Sequence, residues 1–119
     1  MERVIDIGGK AVKFKATALT PRIYRHKFGR DMIVDLNSLR ESLHKTKDGE
    51  EFSSLDLEIF ENAAYTMAKQ ADANIPETAD EWLDGFEMFN IYNILPELLA
   101  LWGANTATTA TPKKKYDKR

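Results

Sequence analysis

Ser53-Ser54-Leu55-Asp56-Leu57-Glu58-Ile59-Phe60-Glu61-Asn62-Ala63-Ala64-Tyr65-Thr66-Met67-Ala68-Lys69-Gln70-Ala71-Asp72 is the stretch on which the fold turns. Leu55, Ile59, Phe60, Ala63, Ala64, Met67, Ala68 and Ala71 recur at spacings of three and four, which places them along one side of a helix over about 54–72. Ser53 or Ser54 opens it, and Ser53 to Asp56 has the form of a capping box with aspartate in the glutamate position. The alanines on the stripe let another helix approach closely. Asp56, Glu58, Glu61, Lys69 and Asp72 fill the opposite face. Glu58 and Glu61 could act as an acid–base pair only in a cleft with perturbed pKa values, and a solvated face is the simpler reading.

Toward the N-terminus, Asp31 can cap a second amphipathic helix over about 31–45, with Met32, Ile33, Leu36, Leu39 and Leu43 as its apolar side. Thr20-Pro21 reads as an N-cap followed by proline at the first helical position, opening a short helix over about 20–28 that Gly29 can close. Ile23, Tyr24 and Phe28 form its apolar side, and Arg22, Arg25, Lys27 and Arg30 line the rest. Before it, Val4 to Ile7 and Lys10 to Lys15 alternate apolar and polar residues around Gly8-Gly9, a hairpin signal over 3–16 that sets Ile5 opposite Val12. A lone two-stranded hairpin is marginal in water, so its apolar face should pack on the helices.

Toward the C-terminus, Thr78-Ala79-Asp80-Glu81 reads as a capping box for a helix over about 78–88 that carries Trp82, Leu83, Phe86 and Phe89. Asn90 can begin a last helical segment, 91–102, with Ile91, Ile94, Leu95, Leu98, Leu99 and Trp102 apolar. Pro96 removes a hydrogen bond inside it, so the segment should kink or restart near Leu95. After Gly103 the composition changes abruptly to alanine, threonine and then lysine. A stretch so poor in apolar surface cannot offset the entropy of ordering it, and 104–119 is expected to be a flexible basic tail. The fold class is therefore α+β and predominantly α-helical, with an N-terminal hairpin on four to five helices in a single domain, 1–103.

Cysteine is absent, the N-terminus has no apolar signal-like run, and no segment approaches the ~20 apolar residues of a membrane helix. A soluble cytoplasmic protein is the expectation. The net charge of -2 conceals segregation: residues 1–47 hold eleven Lys/Arg and five Asp/Glu, whereas 48–112 hold thirteen Asp/Glu against Lys69 alone. Such asymmetry either joins the two halves within one fold or favours head-to-tail self-association. Catalysis finds little support. His26 and His44 stand apart from any ligand partner, no nucleophile has a base beside it, and Gly8-Gly9 leads into no helix with Lys-Ser/Thr. No enzymatic activity, cofactor or metal is expected. The residue types point to protein binding, with Trp82, Phe86, Phe89, Tyr92, Leu99 and Trp102 as candidate partner-binding residues, most of them core by default and one or two free to anchor an interface.

Several stretches, in order, resemble the small tail assembly chaperones of long-tailed bacteriophages of Gram-positive hosts. They run from Gly9 to Thr17 (Gly-Lys-Ala-Val-Lys-Phe-Lys-Ala-Thr), from Pro21 to Asp31 and from Leu57 to Asp72, then through Glu81-Trp82-Leu83-Asp84-Gly85-Phe86, Leu95-Pro96-Glu97-Leu98 and Leu101-Trp102-Gly103. The resemblance covers nearly the whole body. It implies a morphogenesis factor of the host cell cytoplasm, absent from the mature virion, that binds and solubilises the tape measure protein and helps recruit tail tube subunits. It also implies that a programmed frameshift near the end of the gene fuses a second domain, reaching the tube protein, onto a fraction of copies. Lys113, Lys114 and Lys115 are compatible with a slippery adenine-rich stretch there, and this sequence would be the short, unshifted product. The alternative is a small nucleic-acid-binding or regulatory protein that uses the basic residues Arg22, Arg25, Lys27 and Arg30 together with the tail. The acidity of the body argues against it.

Overall fold

A hairpin comes first because Gly8 and Gly9 adopt φ values of 59° and 90°, the left-handed conformations that a two-residue turn requires. A Cβ at Gly8 would also run into the Asn90 side chain. The computed structural model describes residues 1–46 and 53–110, with side chains at 1–43 and 53–102. The elements are β1 (Glu2–Ile7), β2 (Lys10–Lys15), α1 (Thr20–Phe28), α2 (Met32–Thr46), α3 (Ser54–Ala71), α4 (Ala79–Leu83), a 3-10 turn (Tyr92–Ile94) and α5 (Leu95–Ala110). The two strands are antiparallel, with Ile5 opposite Val12 as the alternation predicts. Ile5, Ile7, Val12 and Phe14 are buried, while Glu2, Val4, Asp6, Ala11 and Lys13 are exposed. One face of the hairpin is thus wet and the other is core.

The centre of the molecule is α3, which packs against β2, α1, α2 and α4. Its cap is the full box: Ser53 Oγ accepts from Asp56 N–H at 3.1 Å, and Asp56 Oδ2 accepts from Ser53 N–H at 3.1 Å. Every residue from Ala63 to Ala68 is buried, Tyr65 and Thr66 included, so the helix is enclosed rather than merely amphipathic. Thr66 satisfies its own hydroxyl by donating to Asn62 C=O at 2.7 Å. Leu55, expected on the stripe, is exposed, whereas Asp56 beside it is buried. On α2, Asp31 caps Ile33 and Val34 N–H, and Met32, Leu36 and Leu39 are buried. Ile33 is exposed instead, one residue and about 100° off that line.

Three ends differ from the sequence reading. The cap position of α1 is Leu19, without a side-chain bond; Thr20 already belongs to the helix. Its hydroxyl accepts from Thr17 N–H and donates to Gln70 Oε1, tying the strand exit to α3. Helix α4 stops at Leu83 rather than near residue 88, because Gly85 is a poor helix former and its carbonyl turns to Lys10 Nζ at 3.4 Å. The last segment is a 3-10 turn followed by α5, with Pro96 in the first turn, where its missing N–H costs nothing. Helix α5 then runs through Gly103 to Ala110, past the expected end at 102. Elongating a formed helix is far cheaper than nucleating one, and Ala104, Ala107 and Ala110 favour it. Residues 111–119 lie outside the described residues. Among the described residues no helix is long and apolar enough to cross a membrane.

Candidate partner-binding groove

The acidic half of the chain makes its surface around one lysine. Lys69 Nζ donates to Ala73 C=O at 2.9 Å, to Ile75 C=O at 2.7 Å and to Glu77 Oε2 at 2.9 Å, folding the connection after α3 back on its own helix. Tyr65 Oη donates to Pro76 C=O at 2.6 Å, and Lys27 Nζ donates to Glu77 C=O while lying 5.5 Å from the Tyr65 ring centre. Lys69 holds the Glu77 carboxyl below its usual pKa, and burial pushes the Tyr65 hydroxyl up. Ile75 and Pro76 are thereby fixed as a wall.

Facing that wall across a groove of about 290 Å³ is β2, with Lys10, Ala11, Val12 and Lys13 on one side and Asp72, Ile75, Pro76, Glu81, Trp82, Gly85 and Phe86 on the other. That size is at the lower end of small-ligand sites. Trp82 forms its floor, edge-on to Phe14 at 6.4 Å and to Phe86 at 5.1 Å between ring centres. Lys10 Nζ closes one end, 5.1 Å from the Phe86 ring centre. In the connection that follows, Met88 and Phe89 are 70% and 71% exposed.

Protein-family models, curated proteins and solved structures yield no match to this chain.

The six aromatic and aliphatic candidates do not share one surface. Trp82, Leu99 and Trp102 are only 4%, 6% and 5% exposed and belong to the core, since α4 and α5 close over β1, β2 and α3. Phe86 is half-buried in the groove rim. Tyr92 is half-buried too, its hydroxyl donating to Glu61 at 2.5 Å, which together with burial pushes its pKa up to about 12. Phe89 alone of the six is fully exposed. Lys113, Lys114 and Lys115 lie outside the described residues. Of the basic residues around α1, Arg22 and Arg25 are exposed, Lys27 is engaged with Glu77, and Arg30 forks onto Asp35. Among the described residues no cluster of His, Cys, Asp or Glu could hold a metal ion. Sequence reasoning missed the groove itself and Met88, and only the isolation of Lys69 in an acidic stretch hinted at the wall.

Proposed function

We propose that this chain is a tail assembly chaperone of a long-tailed bacteriophage, acting in the host cytoplasm to bind and solubilise the tape measure protein and to help recruit tail tube subunits. The observation that carries the reading is the pair Met88 and Phe89, large apolar side chains exposed to water in the connection after α4. Such a surface suits the apolar stripe of a long helical client, where many weak copies add along one ligand. The ordered resemblance from Gly9 to Gly103 supports a tape measure protein as that client. Segregated charge supports head-to-tail neighbours on that client. The second, tube-recruiting product would arise from a frameshift near Lys113, Lys114 and Lys115.

The reading expects a very long helical open reading frame beside this gene, and co-expression with its product is the test. The client should move into the soluble fraction and co-purify, and the double substitution Met88→Ser with Phe89→Ser should weaken that capture while leaving the fold intact. A client equally insoluble with and without the chain overturns it.

A further inference from the structure

The outer edge of β2 is an unfinished sheet. In a hairpin closed by a two-residue turn, Ile7 and Lys10 flank the turn as a hydrogen-bonded pair, and the bonded pairs alternate through Ile5 with Val12 and Arg3 with Phe14. The N–H and C=O groups of Ala11 and Lys13 therefore point away from β1. They point along the wall of the groove, and among the described residues no backbone group outside the hairpin bonds to them. An open edge beside a fixed apolar trough is the geometry of strand addition.

We propose that this groove binds an extended segment of another protein as a third strand on β2, one that alternates apolar with acidic side chains. The apolar set, two residues and about 6.7 Å apart, drops onto Ile75, Pro76, Trp82 and Phe86. The other set stands beside Lys13 and Lys15 on the wet face, where acidic residues are the complementary choice, as at Glu2, which lies opposite Lys15 in the hairpin register. Asp72 and Glu81 on the far wall confine the acidic residues to the β2 side. A second copy's β1 does not fit, because its inward residues Ile5 and Ile7 are already buried in its own core. A helix does not fit either, since its internally bonded backbone would leave Ala11 and Lys13 unpaired. Lys69, Tyr65 and Lys10 hold both sides of the trough in place, so little ordering is needed on binding. The site stands whether or not the client is a tape measure protein.

The test uses the full chain, labelled for amide spectra, and an eight-residue peptide alternating valine with glutamate. Three controls accompany it: the same peptide N-methylated at alternate residues in either register, its valine–lysine counterpart, and an amphipathic helix-forming peptide. Binding should shift the Ala11 and Lys13 amides most, and N-methylation in one register should weaken it at least tenfold. Lys13→Glu, a surface change that leaves the hairpin ladder intact, should reverse the preference between the glutamate and lysine peptides. The proposal is overturned by no binding at millimolar peptide, by binding that ignores N-methylation, by shifts elsewhere than the β2 edge, or by a helical peptide that shifts the Ala11 and Lys13 amides more than the extended one does. It is equally overturned if the Ala11 and Lys13 amides become protected only as protein concentration rises, which would make the occupant a second copy.

Discussion

Two clusters of the same ingredients, a cation, a carboxylate and a tyrosine, sit in different surroundings. In the first, Arg30 donates through Nε and Nη2 to Asp35 at 2.7 and 2.8 Å, and Tyr24 Oη donates to the same carboxylate at 2.9 Å. In the second, Lys69 and Lys27 gather Glu77 and the backbone about it, over Tyr65. The Asp35 side chain is 5% exposed and that of Glu77 is 84% exposed. The carboxylate is therefore the foundation of the first cluster and an ornament of the second, where the backbone carbonyls taken by Lys69 matter more. Burial decides which member of a polar network is indispensable, and identical chemistry reads differently on either side of that line.

The largest effect is expected from Asp35→Asn, which takes the charge from a buried acceptor of three hydrogen bonds. A loss of about 2 to 3 kcal/mol in urea unfolding follows from the strength of hydrogen bonds to charged groups. The Arg30 fork, with help from the Tyr24 hydroxyl and against burial, holds the Asp35 carboxyl below its ordinary 3.8. A depressed carboxyl contributes stability that is present above the unfolded value and lost as pH falls through the folded one. Wild-type stability should thus drop on acidification below about pH 4, and Asp35→Asn should flatten that drop.

Next comes Lys69→Met, which keeps the stem but releases two carbonyls, at about 1 kcal/mol. Its sharper signature is faster amide exchange over 72–77 with little change in α2. Tyr92→Phe, removing the bond to Glu61, should cost about 1 kcal/mol near neutral pH. Because the Tyr92 pKa is raised from 10.0 to about 12, its contribution is complete below pH 10 and fades between those values, so wild type and variant should converge in strong alkali. The smallest effect belongs to Glu77→Gln: an unchanged urea midpoint would sharpen the contrast, and a shift as large as that of Asp35→Asn would erase it.

Local signals carried far in this chain. Period two around Gly8-Gly9 gave the hairpin register, the Ser53 box gave the start of α3, and Pro96 marked the restart at Leu95, because each depends on a few neighbouring residues. Signals that depend on the whole fold were silent. Thr20 resembles a cap locally, but its hydroxyl serves Thr17 and Gln70. Trp82 and Trp102 resemble interface anchors on their helices, yet what covers them comes from distant elements. The groove needs β2 and the 72–76 connection side by side, an adjacency that no spacing encodes.

Helix α5 extends eight residues beyond Trp102, about 12 Å at 1.5 Å per residue. That makes it a lever arm. The last described residue, Ala110, therefore stands out along the axis of α5 and not at Gly103. One helical turn added or removed before Ala110 would move that end by about 5.4 Å with little rotation, whereas two residues would also turn it by about 200°.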